Sequence, residues 1–275
     1  MVNKPLLSVV ICTYNRDNYL QQCLDHLAQQ TALVELFEIL VIDNRSADRT
    51  RQVCDEFRDS HPEIQFNYCL EQHQGLSHCR NRGIEESNSE LISYIDDDAL
   101  ADTDYVSNLI TYFQHFPEVD AIGGKVTPIY QSGAPPWMSK YLLPLVAALD
   151  MGLSSKPFKG RKFPIGANMA FRRNVLLEIG AFSTDLGRVG SYLGSGEEKD
   201  MFYRMKKQQK RVDYVPSVHV FHSIPNERLE IDYIKKMAQG IGKSEAIRTR
   251  QGSLWIGLGK WIEEFFKIGA TAILA

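Results

Sequence analysis

Leu91-Ile92-Ser93-Tyr94-Ile95-Asp96-Asp97-Asp98 is an apolar run, β-branched and aromatic, that ends in three consecutive carboxylates. Read as a buried strand, it delivers Asp96, Asp97 and Asp98 together at its C-terminal edge. Three adjacent carboxylates repel one another, so a folded chain tolerates them best where a cation or several donors neutralise them. Hard oxygen ligands at a strand end suit Mn²⁺ or Mg²⁺, and such ions commonly hold a diphosphate. The alternative is a solvated acidic turn capping a helix that starts near Asp102. This stretch alone leaves both open.

Working outward, Leu6 to Thr13 is a continuous apolar run, as expected of a central parallel strand. Tyr14-Asn15-Arg16 breaks it, and Asp17 or Asn18 can cap a helix carrying Leu20, Cys23, Leu24 and Leu27 on one face. Phe37 to Ile42 is a second strand ending at Asp43, followed by a helix with Val53, Cys54 and Phe57. Ile64 to Leu70 is a weaker third strand and Gly75 to Glu86 a helix, so 91–95 is the fourth strand. This alternation predicts an α/β fold, a doubly wound, mostly parallel sheet flanked by helices, with its site at the strands' carboxyl ends.

Beyond it, 103–116 reads as an amphipathic helix and Val119 to Ile129 as a strand. The Gly- and Pro-punctuated segment 131–164 reads as a long functional loop. Helices follow at 174–179 and 197–209, then a strand from Val212 to Phe221 with Pro216 at an expected edge.

The 275 residues are 44% hydrophobic and 24% charged, which fits an ordinary globular chain with a sizeable core. A net charge of −3 carries no polyanion-binding signal, so no nucleic-acid partner is expected. Five cysteines without paired metal-type spacing point to a reducing compartment. Met1 to Pro5 leads directly into a strand pattern, so no signal peptide is expected, and no window has the length of a membrane span. The expected location is the cytoplasm, or the cytoplasmic face of a membrane.

Five motifs then come together. Cys12-Thr13-Tyr14-Asn15-Arg16 resembles the opening motif of family 2 glycosyltransferases, the inverting group with the GT-A fold. Val41 to Thr50 is similar to the family's second motif, and Gln74 to Gly83 to its Arg- and Asn-bearing element. Asp96-x-Asp98 sits where the family keeps its metal-binding DxD, and Gly196 to Asp200 resembles the segment that houses the catalytic base. Order and spacing match over about residues 6–225. Phe163 to Arg173 and the stretches around 186–198 and 222–236 resemble a subgroup making bacterial extracellular or hormogonium-type polysaccharide.

The resemblance implies a metal-dependent transfer from a nucleotide-diphosphate sugar, a UDP-sugar being favoured, to a glycan or lipid-linked acceptor. It makes Asp98 the first metal ligand, with Asp96 and Asp97 dividing metal and ribose contacts and His222 completing the shell. His222 is preferred to His219 because His219 shares its alternation with buried positions. Thr13, Tyr14, Asn15, Arg16 and Asp43 would surround the nucleoside, Asp43 suiting the N3–H of uracil or thymine. Arg80 would meet the diphosphate, since a guanidinium matches phosphate oxygens in pairs; its other reading is a surface cation paired with Glu85 or Glu86. Asn168 would line the donor-sugar or acceptor pocket, and Trp137 would stack on a sugar face or plug the loop.

The base corresponds to Glu198, a departure from the family's usual Asp, with Glu197 bonding the acceptor and Asp200 as fallback. First-turn carboxylates that merely complement a helix dipole are the competing reading. Arg228 to Lys236 could meet a lipid phosphate or be a solvated helix face.

Three segments are expected: a nucleotide-binding half (1–116), an acceptor-binding half (117–250), and an amphipathic helical tail (251–275) that packs back or contacts a membrane surface. Two rivals remain. A nucleotidyltransferase would need a Gly-rich, basic signature after the first strand, where CTYNR stands. A non-catalytic nucleotide-sugar binding module would not need both Asp98 and Glu198.

Overall fold

A computed structural model describes residues 4–139, 142–160, 162–190 and 193–250; the tail expected at 251–275 lies outside the described residues. The first hundred residues alternate as β1 (Leu7–Thr13), α1 (Asp17–Ala28), β2 (Phe37–Asp43), α2 (Thr50–Ser60), β3 (Gln65–Leu70), α3 (Leu76–Glu86) and β4 (Leu91–Asp96). β1 pairs in parallel with β2 on one side and β4 on the other, which sets Cys12 beside Asp96 and Thr13 beside Asp43. The strand order β3-β2-β1-β4 reverses direction at β1. A crevice opens at the carboxyl ends where strand order reverses, and that is where the acidic run ends.

Alternation along the buried strands divides the core in two. Val9 and Ile11 face the cluster built with Leu20, Leu24 and Leu27 of α1, whereas Val10 faces the cluster with Cys79 and Ile84 of α3. α1 does not start on a side-chain cap. Its N-cap is Arg16, whose side chain is engaged by carboxylates elsewhere, and Asp17 is the first helical residue. Asp17 there complements the helix dipole instead of capping it.

The second half adds β5 (Ala99–Ala101), α4 (Tyr105–His115), β6 (Ala121–Tyr130), β7 (Lys156–Pro157), β8 (Asn168–Arg172), α5 (Arg173–Ile179), α6 (Glu197–Lys207), β9 (Val212–Ile224) and α7 (Ile231–Arg250). Here the sheet becomes mixed: β8 runs antiparallel to β4 and β6, and β5 and β7 run antiparallel to β9, while β6 and β9 are parallel. The parallel character predicted from the alternation belongs to β1–β4. No described helix is long and apolar enough to cross a membrane.

Pro216 does not sit at an edge. β9 has neighbours on both sides, and Pro216 falls where its register on β6 slips between Gly124 and Lys125. A bulge tolerates proline because its missing N–H is not needed by the ladder. The slip also shifts the phase of β9, so that Val218, Val220, His222 and Ile224 are buried and His219 only half-buried. The alternation argument had these histidines reversed.

Between β6 and β8 the long loop holds only a short 3-10 helix (Leu143–Val146) and β7 among the described residues. Trp137 there is 44% exposed.

At the bulge, a Cβ on Gly124 would collide with the Val218 carbonyl and the Asn168 amide. Gly124→Ala should therefore destabilise the chain by about 1–3 kcal/mol in urea unfolding. Gly242→Ala, where a Cβ meets nothing within 4 Å on α7, should be neutral or stabilising by up to about 1 kcal/mol.

Candidate active site

The three carboxylates at the end of β4 meet three different fates. Asp97 accepts from Thr13 Oγ1 at 2.8 Å and from Arg16 Nη1 at 2.8 Å. Asp98 accepts from Arg16 Nη2 at 2.7 Å, pairs with His222 Nε2 at 3.0 Å, and pairs with Arg228 Nη2 at 3.0 Å. The Asp96 side chain has no hydrogen bond or ion pair among the described residues, and it lines the cleft.

Electrostatics follow. Burial alone would raise the Asp98 carboxyl, but His222, Arg228 and Arg16 outweigh it and hold it well below the usual carboxylate range. Burial pushes Asp97 up to about 6, with Asp98 beside it adding to the rise and only Arg16 and the Thr13 hydroxyl opposing. Burial would lower His222, yet the Asp98 carboxylate raises it.

His222 reaches this place through β5. Ala99 pairs with His222 across the β5–β9 ladder, and the Ser223 N–H donates to the Asp98 carbonyl at 2.9 Å. One ligand atom each from Asp96, Asp98 and His222 lie within 4.8 Å of one another. His222 Nδ1 meets the Val146 carbonyl at 3.1 Å, which turns Nε2 toward Asp98. A carbonyl on one ring nitrogen is how proteins commonly orient the other toward a metal. Two carboxylates and an imidazole, one carboxylate unpartnered, fit Mn²⁺ or Mg²⁺.

The opposite wall is built on a second buried ion pair. Arg80 of α3 donates to Glu197 Oε1 of α6 at 2.5 Å, with both side chains about 97% buried or nearly so (3% and 4% exposed). A Cβ on Gly166 would strike the Arg80 guanidinium, so this glycine makes room for it. Removing either partner would leave a buried charge alone, at a cost of about 3–5 kcal/mol. The other Glu197 oxygen, Oε2, is buried without a hydrogen-bond partner among the described residues. Beside it, Glu198 is raised to about 8 by burial and by the Glu197 charge, with Arg80 opposing. A carboxyl held near neutral pH is tuned for proton transfer.

The expected site residues thus divide. Thr13, Tyr14, Arg16, Asp96, Asp97, Arg80, Glu197 and Glu198 line one cleft of about 430 Å³. Arg80 is committed to Glu197 and pairs with neither Glu85 nor Glu86; Arg82 takes Glu86. Asp43 is buried behind the wall, accepting from the Ser46 N–H and the Tyr68 hydroxyl. Asn15, at φ 53°, clamps the β2–α2 loop through the Ser46 hydroxyl and the Ala47 N–H.

Asn168 is not brought to the cleft. Its amide donates to the Lys125 and Val218 carbonyls and holds the β9 bulge, with the Tyr105 hydroxyl on its Oδ1. Asp200 points to Arg204 at 2.8 Å, one turn along α6. The sequence left Arg228 to Lys236 open between a lipid phosphate and a solvated helix face; the Arg228 guanidinium lies on Asp98. Sequence reasoning missed an apolar part of the cleft wall, Pro144, Leu145, Met237 and Ile241. No local pattern marks these residues, because the fold alone brings the 3-10 helix and α7 to the cleft.

The family model described as Glycosyl transferase family 2 matches residues 8–180. A glucosyl-dolichyl phosphate glucuronosyltransferase of Haloferax volcanii is 27% identical over 242 residues, covering 86% of this chain and 76% of the relative. A validoxylamine A glucosyltransferase of Streptomyces hygroscopicus is 28% identical over 225 residues, 73% of this chain and 48% of that relative, so the chain spans about half its length. Among solved structures, the mannosyltransferase PcManGT from Pyrobaculum calidifontis, in complex with GDP-Man and Mn²⁺, superposes with a TM-score of 0.59 at 17% identity, over 99% of this chain and 81% of that one. S. aureus TarS in complex with UDP-GlcNAc gives 0.57 at 19% identity, over 80% and 58%. At that identity the likeness speaks for the fold, a GT-A fold, while the family match covers more than half of the sequence. The chain is a member of glycosyltransferase family 2.

Proposed function

We propose that this glycosyltransferase is metal-dependent and inverting, and moves a sugar from a nucleotide-diphosphate donor, a UDP-sugar being favoured, to the hydroxyl of a lipid-linked or growing glycan acceptor. One observation carries the reading: an open carboxylate beside Asp98 and His222 and a carboxyl tuned to about 8 line the same cleft from opposite elements. Single displacement needs this separation, with positive charge on the departing diphosphate and a base on the other side of the anomeric carbon.

In this reading Asp96, Asp98 and His222 hold Mn²⁺ or Mg²⁺, which supplies charge to the leaving diphosphate. Asp97, held by Thr13 and Arg16, faces the ribose. Glu198 takes the proton of the acceptor hydroxyl, and the unpartnered Oε2 of Glu197 accepts a hydroxyl of donor or acceptor sugar. A lipid-linked acceptor is favoured over a soluble one by the apolar Pro144, Leu145, Met237 and Ile241, which suit the first methylenes of a lipid carrier. The first relative's name includes such a carrier, a dolichyl phosphate. The halves 1–116 and 117–250 divide donor and acceptor work accordingly.

Asp98→Asn should abolish the Mn²⁺-dependent part of the thermal shift given by UDP, GDP or dTDP, because a ligand bound to the native state alone raises its melting temperature. An unchanged metal-dependent shift would rule out the assignment. Glu198→Gln should keep that shift while kcat falls by about 10²- to 10⁴-fold. Normal transfer by this variant, with Asp200→Asn inactive, would move the base to Asp200. Because the raised carboxyl is protonated below its pKa and only the carboxylate accepts a proton, kcat/KM of the wild type should rise about tenfold per pH unit and level off above about 8. A profile flat from pH 6 to 9 would contradict the role of Glu198.

A further inference from the structure

We propose that Arg228 exchanges with the divalent ion: it holds Asp98 and His222 while the ion is absent, and turns to the donor's diphosphate once the ion is in place. This rests on the metal-dependent donor binding argued above.

Three cationic groups crowd Asp98, and they are not equally tethered. Arg16 spreads its two nitrogens over Asp97 and Asp98 and stacks on the Tyr19 ring at 4.5 Å. His222 is fixed in β9 and bonded to the Val146 carbonyl. Among the described residues Arg228 has Asp98 as its only carboxylate, at 3.0 Å, with its other nitrogen 3.4 Å from His222 Nε2. It stands on a four-residue 3-10 helix (Asn226–Leu229), linked to the loop after β6 by exposed contacts of Asn226 with Gln131 and Ser132. Arg228 is the cation that can leave.

It is also the cation that must. An ion held by Asp98 and His222 would compete for the two groups that the Arg228 guanidinium now spans. Two positive charges so close in a half-buried wall repel strongly. Arg16 already has a second carboxylate and so can keep its place. The diphosphate that accompanies the ion offers Arg228 a new partner, since a guanidinium fork matches two phosphate oxygens.

Other cations lining the cleft are less suited to that partner. Arg80 is bound to Glu197 and Lys199 to Glu245, while Arg188, whose carbonyl accepts from the Leu76 N–H, is exposed. The sequence assigned the diphosphate to Arg80; the arrangement assigns it to Arg228.

The test measures binding, with Mn²⁺ alone and then with UDP and UMP as probes on the full chain. Free Mn²⁺ followed by electron paramagnetic resonance, with no nucleotide present, should show Arg228→Met binding the ion about tenfold tighter than wild type, because its competitor is gone. At saturating Mn²⁺, calorimetry should show UDP bound roughly 10- to 100-fold more weakly by Arg228→Met, with UMP changed less than about threefold. Arg228→Lys keeps the charge without the fork, so it should restore wild-type Mn²⁺ affinity and only part of the UDP affinity. Unchanged or weaker Mn²⁺ binding by Arg228→Met would overturn the exchange, as would equal losses for UDP and UMP. If neither wild type nor Arg228→Met binds Mn²⁺, with or without UDP, the metal-site reading fails, and the exchange fails with it. Superimposable circular dichroism spectra confirm that the variants are folded.

Discussion

Three carboxylates in a row at the end of a buried strand repel one another, and the chain is arranged to answer that repulsion. Arg16 comes from the loop after β1, His222 from β9 and Arg228 from the 3-10 helix that follows it. Each is supplied by a different part of the chain, so the acidic cluster draws the nucleotide-side strands and the later sheet into one wall. The sharing is uneven. Asp98 takes three cationic partners, Asp97 one and Asp96 none among the described residues. That unevenness leaves one carboxylate open for a ligand, and the same crowding makes Arg228 the displaceable partner.

The second constraint is the Arg80–Glu197 pair. Both side chains are buried, and the pair joins α3 of the first half to the start of α6 in the second. It acts on the neighbouring residue too. Glu197 and burial push the Glu198 carboxyl upward, and Arg80 limits the rise to about 8. A structural ion pair thereby sets the proton affinity of its neighbour. Two carboxylates adjacent in sequence acquire different surroundings because the fold gives Arg80 to Glu197.

Membership of the family and likeness of fold leave the chemistry to the side chains. The mixed half of the sheet shows how. β5 spans only three residues, yet its pairing with β9 is what brings His222, 124 residues away, within 3.0 Å of Asp98. The bulge at Pro216, held by the Asn168 amide and by the space at Gly124, sets the phase that turns His222 inward. Asn168, expected to touch sugar, instead fixes the strand that carries His222.

By itself, the sequence determined the α/β alternation, the register-neutral fact that 91–95 ends in carboxylates at the sheet's carboxyl edge, and the family. Those features are local: apolar runs of strand length, helical faces at Leu20, Cys23, Leu24 and Leu27, and motifs in contiguous residues. It also named eight of the residues that line the cleft. Tertiary structure alone decided which partner each of them meets. Arg80 went to Glu197 rather than to Glu85 or Glu86, Asn168 to the bulge, Asp43 to Tyr68, and Arg228 to Asp98. The orientation of the two histidines turned on a one-time slip of register, which no periodicity within β9 records. Long polar side chains choose among partners that the fold brings from distant parts of the chain, and that choice depends on burial and on the balance of charge around each carboxylate. Neither is written in any local stretch.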